Sequence, residues 1–238
     1  TVTDILVILK STMEYARHSN LSVICDLSKL SVKLHDKEMR VLSPKEQESL
    51  VKVLLDETDQ YKFGVLLSLY TGIRIGELCA LQWEDIDTEL SILKVHKTMQ
   101  RIQETSKGSP TKTKVIITEP KSKCSIRDIP LPPFLIEYAM RFKSNAKAYV
   151  LSGTPDKYVE PRTMQNRFKK YVAAAGIDAA NYHSLRHTFA TRCVEIGFEI
   201  KTLSEILGHA NVNITLNKYV HSSLQLKRDN MAKLSLNY

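Results

Sequence analysis

The sequence predicts an α+β fold that is mainly α-helical and carries a small three-stranded antiparallel sheet. Two observations predict it. On both sides of residues 90–130, apolar residues recur at helical spacing in short segments that are stopped by glycine. Within 90–130 the pattern changes to β-branched runs: Leu90-Ser-Ile-Leu-Lys-Val, Val115-Ile-Ile-Thr, and Ser125-Ile-Arg-Asp-Ile before Pro130. The 238 residues suffice for one large domain with a real core, and 43% apolar with 25% charged residues is an ordinary globular balance. A formal charge of +8 favours a polyanionic partner. Cys25, Cys79, Cys124 and Cys193 are scattered with no C-x-x-C, which argues against zinc and for a reduced interior. With no apolar run of membrane-span length and no signal peptide, the expected location is cytoplasmic.

Residues 3 to about 18 read as a helix, with Thr3 placed to cap it and Ile5, Leu6, Leu9 and Met13 along one side. A helix that starts with the chain at Thr1 implies a piece of a longer protein. Residues 19–40 are mixed and polar and read as a linker. A domain opens at Ser43-Pro44-Lys45-Glu46, a capping box with proline at the first helical position, and Leu50, Val53 and Leu54 follow on one face. Tyr61 to Tyr70 is a buried helix that ends at Thr71-Gly72. Arg74 sits in the break, and Glu77, Leu78 and Leu81 begin the next helix, closed by Trp83 and Ile86. An arginine there has a buried stem and a fixed head. It is either a preorganised anion clamp or a structural ion pair with Glu77 or Asp85.

The three predicted strands enclose a polar, lysine-rich loop at Gln100 to Lys114. A turn, Pro120-Lys121-Ser122-Lys123-Cys124, joins the last two. Most lysines at turns are simply solvated, but an ammonium delivered to a site can protonate a leaving oxygen. Helices resume at Pro133 to about Phe142; Tyr149-Val-Leu-Ser reads as extended. From Pro161 a strong helix runs through Phe168, Tyr171 and Val172 to a stop at Gly176. Its Arg162, Arg167, Lys169 and Lys170 form a basic face, suited to solubility or to tracking phosphates.

The stretch from His183 to His221 holds the chemistry. His183 and Arg186 are three apart and share a helix face, with Leu185, Phe189, Ala190 and Val194 as the apolar stripe and Gly197 as the stop. Ile200 to Leu207 forms a second helix that ends at Gly208, which places His209 just past a helix end. A third, from about Asn213, carries Ile214, Leu216 and Tyr219. Arginine binds a phosphodiester bidentately, histidine donates to it or moves protons, and tyrosine can attack phosphorus.

In the order Arg74, Lys121, His183-x-x-Arg186, His209, Tyr219, the sequence resembles the catalytic domain of the tyrosine recombinases, the phage integrase family. The resemblance rests on T-G-x-R-x-x-E-L-x-x-L-x-W-x-D-I at 71–86, the lysine-bearing hairpin before Ile129-Pro-Leu, H-x-L-R-H-T-F-A-T at 183–191, and L-G-H followed ten residues later by Tyr219. It covers about residues 40–221 and looks closest to integrases of conjugative transposons and temperate phages. It implies a DNA breaking-rejoining domain over 41–221. Residues 1–40 would be the end of a core-binding domain plus linker, and 222–238 a tail that packs on a neighbouring protomer. It also implies roles. Arg74 and Arg186 would hold the scissile phosphate, and Tyr219 would attack it to give a 3′-phosphotyrosyl link. Lys121 would protonate the leaving 5′-oxygen, with Lys123 the alternative two residues away. His183 would serve as general base and His209 as a donor to the phosphate. No cofactor, ATP or metal is implied. The implied partners are double-stranded DNA, a homo-tetramer in the synapse, and accessory DNA-bending or directionality factors at the bacterial nucleoid.

Three other readings compete. Ile200 to Tyr219 could be a helix-turn-helix of a regulator, which a covalent protein–DNA adduct would exclude. His183 and His187 are four apart, as in a zinc hydrolase, but Ser184 stands where the general base belongs. A type IB topoisomerase shares the chemistry and would relax supercoils without strand exchange.

Overall fold

The computed structural model describes residues 2–21, 25, 27, 29–31, 39–104, 112–120, 122–219, 228, 231 and 232. The chain forms two compact units, Thr1–Glu38 and Met39–Tyr238. In the first, α1 (Val2–His18) has Asp4 in its first turn and Arg17 and His18 in its last, matching the helix dipole. It buries no residue; Ile5, Ile8 and Leu9 are exposed. The helix begins before Thr3, so that residue does not cap it. Among the described residues no helix is long and apolar enough to cross a membrane.

In the second unit, α2 (Pro44–Leu55) begins as predicted. Ser43 Oγ accepts from Glu46 N–H, Glu46 accepts from Ser43 N–H, and Pro44 occupies the first helical position. The α3 helix (Gln60–Thr71) is apolar on nearly all sides because it is the central helix, packed by α2, α4 (Ile75–Ala80), α5 (Pro133–Phe142), α6 (Pro161–Ala174) and α7 (His183–Glu195). Phe63, Leu66, Leu67, Leu78, Trp83 and Phe168 are among the fully buried side chains of this core. Two short helices, α8 (Ile200–Leu207) and α9 (Val212–Tyr219), complete the fold. They form a second, smaller cluster in which Leu203, Leu207 and Tyr219 meet Ala190 and Cys193 of α7.

The β-region differs from expectation in membership. The three-stranded antiparallel sheet has the order β1 (Ile86–Asp87), β2 (Ile92–Val95), β5 (Arg127–Pro130), with Leu93 opposite Ile86 and Ile129. The run at Val115–Thr118 is not part of it. That run lies in β4 (Thr113–Thr118), which pairs with β3 (Thr98–Gln103) as a separate two-stranded sheet. The stretch read as a polar loop from Gln100 thus begins as a strand, since Met99 is buried and Arg101 reaches across to Thr113 and Glu160. Between β4 and β5, residues Lys123–Ser125 form a 3₁₀ turn. Tyr149 makes only an isolated bridge with Gln82 before the chain turns.

Candidate active site

Two left-handed glycines set the frame. Gly72 (φ 65°) ends α3 and lets the chain turn into Arg74, the N-cap of α4; a Cβ there would lie 2.6 Å from Phe189 and 2.9 Å from Leu207. Gly208 (φ 63°) ends α8 in a Schellman pair, with Gly208 N–H donating to Glu205 O (2.9 Å) and His209 N–H to Ser204 O (3.0 Å). This leaves the carbonyls of Ile206, Leu207 and Gly208 without partners of their own backbone. Each takes an arginine: Ile206 O accepts from Arg127 Nε (2.5 Å), Leu207 O from Arg186 Nη2 (2.6 Å), and Gly208 O from Arg74 Nη2 (3.2 Å). The negative end of the helix dipole suits this cationic crown.

Of the two readings of Arg74, the structure shows the ion pair. It pairs with Glu77, Nη1 donating to Oε1 at 2.7 Å, while the same carboxylate caps α4 by accepting Arg74 N–H (2.8 Å). Its side chain nevertheless remains 38% exposed, so it can also meet an anion. Asp85 is not its partner; that carboxylate accepts Gln82 N–H. Arg186 is buried at 4% exposure and also donates to Gly72 O (2.7 Å). Burial, then the neighbouring Arg74, push its pKa down to about 9. Burial alone would raise the Glu77 carboxyl, but Arg127 and Arg74 reverse that and hold it below the usual range. Two guanidinium groups, those of Arg74 and Arg127, therefore bond one buried carboxylate.

His183, in the first turn of α7, is exposed, and its ring packs edge-on against His187 with centroids 4.5 Å apart. Burial and then Arg186 lower its pKa. His209 Nδ1 lies 2.8 Å from Thr215 Oγ1, and its pKa is lowered to about 4 by burial, then by Arg186 and Arg74. Both shifts favour the neutral imidazole, as expected beside unbalanced cations. Tyr219 ends α9 at 6% exposure, its hydroxyl 2.8 Å from His187 Nδ1. The residue bonded to the tyrosine is thus His187, not His183. Burial raises the Tyr219 pKa, against the pull of Arg186 and Arg74.

Lys121 lies outside the described residues. The turn that follows it is held by Ser122 and Ser125, hydroxyl to hydroxyl at 2.8 Å. A cleft of about 320 Å³ opens beside His183 and Arg186, floored by Ile73, Ile75 and Phe168, with Lys169 on its lining. Of the basic face on α6, Arg162, Lys169 and Lys170 are exposed, whereas Arg167 stacks 3.5 Å over the Tyr61 ring and is spent on packing. Among the described residues no group of three His, Cys, Asp or Glu side chains is placed to hold a metal.

Sequence reasoning passed over Arg127 and gave His187 no role beyond a zinc ligand. Arg127 had one legible signal. It alternates with Ile129 on a strand, which puts it on the inward face, where an unpaired arginine does not belong.

The fold and this arrangement define a tyrosine recombinase catalytic domain. Residues 40–225 match the phage integrase family, and the chain belongs to that family. It is 34% identical over 172 residues to a tyrosine recombinase XerC-like protein of Caldanaerobacter subterraneus subsp. tengcongensis, covering 66% of this chain and 44% of the relative. It is 27% identical over 237 residues to a putative prophage phiRv2 integrase of Mycobacterium tuberculosis, covering 96% and 60%. The chain therefore spans about half the length of such relatives. Among solved structures, the Tn1549 transposon integrase in complex with transposon right end DNA superposes with a TM-score of 0.77 at 22% identity, covering 98% of this chain and 78% of that one. The XerA recombinase gives 0.58 at 22% identity, over 100% and 78%. Both are similar in fold.

Proposed function

We propose that this chain is the catalytic part of a site-specific DNA recombinase of a mobile element. One observation carries the reading: three arginines converge on the end of α8 with a single buried carboxylate to balance them, beside a tyrosine. That net positive charge is the complement of a phosphodiester. In the reaction, Tyr219 Oη forms a bond to phosphorus and the bond to the 5′-oxygen breaks. The phenolic proton leaves to a histidine, and a proton reaches the 5′-oxygen from Lys121. Arg74 and Arg186 bind the non-bridging oxygens as charge builds in the pentacoordinate state, and His209 donates to one of them. A 5′-hydroxyl from another strand reverses the attack. The bond energy is kept in the phosphotyrosine, so neither ATP nor a metal is needed.

His183 and His187 divide the base role by position. His187 holds the hydroxyl in the resting state, and His183 is the exposed ring next to it, open to the DNA side. The Tn1549 and XerH recombinases are seen with DNA. For this chain double-stranded DNA is the proposed substrate. Four protomers on two duplexes, with bending or directionality factors, are the proposed assembly at the bacterial nucleoid. The helix-turn-helix reading is not favoured, because the carboxyl end of α8 is turned inward onto the arginines rather than toward a groove.

The test is a nicked duplex from the element's ends, run on a denaturing gel with native protein and with Tyr219→Phe. A covalent band present only with native protein, and surviving chelator, is the expected result. A band from Tyr219→Phe would remove the nucleophile, and loss of the native band in chelator would revive the metal reading.

A further inference from the structure

Arg127 is outside the set of residues expected to touch the phosphate, and its side chain is only 6% exposed. Its donors are all turned inward. Nε donates to Ile206 O, Nη1 to Ser125 O (2.9 Å) and Glu77 Oε1 (3.1 Å), and Nη2 to Glu77 Oε2 (2.9 Å). Glu77 Oε1 is thus shared, with Arg74 Nη1 at 2.7 Å on one side and Arg127 Nη1 on the other. One buried carboxylate needs one arginine for neutrality. The second arginine is surplus to that need, and it is the more buried of the two.

We propose that Arg127 is a positioning residue that acts through Glu77: by bonding both carboxylate oxygens, it limits Arg74 to one side-chain bond with Glu77 and keeps the partly exposed guanidinium available to the scissile phosphate. This rests on the recombinase reading above. Without Arg127, the buried carboxylate has only Arg74 to neutralise it. A bidentate Arg74–Glu77 pair then draws that guanidinium away from the phosphate. Arg127 also spans three segments: β5 carries it, the turn after Lys121 accepts through Ser125 O, and α8 accepts through Ile206 O.

The test compares native protein, Arg127→Lys, Arg127→Met and the double variant Arg127→Met with Glu77→Gln. Each is assayed for single-turnover cleavage of a nicked site and for DNA affinity. Two substrates are used, an ordinary scissile phosphate and a methylphosphonate, in which a methyl group replaces one non-bridging oxygen and the negative charge is lost, so that it depends less on Arg74. Arg127→Met is expected to slow cleavage of the phosphodiester by roughly 10²-fold, the size of one lost charge-stabilising donor, with affinity nearly unchanged. The defect is expected to shrink on the methylphosphonate. Glu77→Gln is expected to restore part of the rate, because it removes the competitor for Arg74. Arg127→Lys should be intermediate, since one ammonium cannot cover both oxygens. An equal loss on both substrates, or a loss of rate matched by a loss of affinity, would make Arg127 a structural residue and overturn the proposal. The double variant leaves no buried carboxylate short of a partner, so the comparison survives if Arg127→Met does not fold. If the native protein forms no adduct on its own site, the recombinase reading fails and takes this one with it. If only the Arg127 variants match native rates, this inference alone fails.

Discussion

The arginine half and the tyrosine half of the site are built differently. Arg74, Arg127 and Arg186 are each held by at least two partners, including backbone carbonyls at the ends of α3 and α8, and they border the main core. Tyr219 sits in the small cluster with Ala190, Cys193, Leu203 and Leu207, and its hydroxyl has one bond, to His187. The arginines are thus held in place by the protein alone, and in the proposed reaction that would spare reorganisation. Tyr219, the proposed nucleophile, is held by fewer contacts.

Substitutions can break this contrast on either side. Arg74→Lys keeps the charge but loses the fork that reaches both Glu77 and Gly208, so cleavage is expected to fall by roughly 10²–10³-fold with DNA affinity little changed. An unchanged single-turnover rate would make Arg74 structural. Gly208→Ala tests the frame without replacing a charged group. A Cβ there would lie 3.0 Å from Cys124 O and 3.1 Å from Arg127 Cδ, on a left-handed backbone. It should cost about 1–3 kcal/mol in a urea melt and also slow cleavage, since the carbonyls of α8 shift with it. A stability loss with native cleavage would mean that the crown of carbonyls does not position the arginines.

The smallest effect belongs to the tyrosine half. Burial, then His183 and Lys218, lower the His187 pKa to about 4. Its unfolded value is near 6.5, so between these values the unfolded chain binds more protons. The stability His187 contributes is therefore complete above about pH 6.5 and is lost as pH falls toward 4; His209 acts in the same window. His187→Gln should flatten the fall of the urea midpoint between pH 7 and 4.5 while changing cleavage only a few-fold. An unchanged slope would show that the ring is not desolvated as its contacts with Tyr219 and His183 imply.

The helices were legible because each has a local start or stop. Ser43-Pro44, Gly176 and Gly208 bound α2, α6 and α8 within a residue or two of the predicted ends. Strand partners were not legible. Val115-Ile-Ile-Thr has the composition of any strand, and nothing local distinguishes pairing with Thr98–Gln103 from joining β2 and β5. Likewise the order of Arg74, His183, Arg186, His209 and Tyr219 was legible, and the structure brings Arg74, Arg186 and His209 to the end of α8. That His187 would meet the Tyr219 hydroxyl depends on how α7 and α9 pack, and sequence spacing does not encode it.

The last turn of α8 has a mechanical consequence. Three arginines from β5, α7 and the start of α4 take their bearings from three consecutive carbonyls, so a displacement of α8 as a rigid rod carries all three anchor points together and preserves their mutual spacing. Drift of the helix pulls all three against their other partners, Glu77, Ser125 and Gly72. Fraying of its final turn would strip an anchor from every arginine in one event.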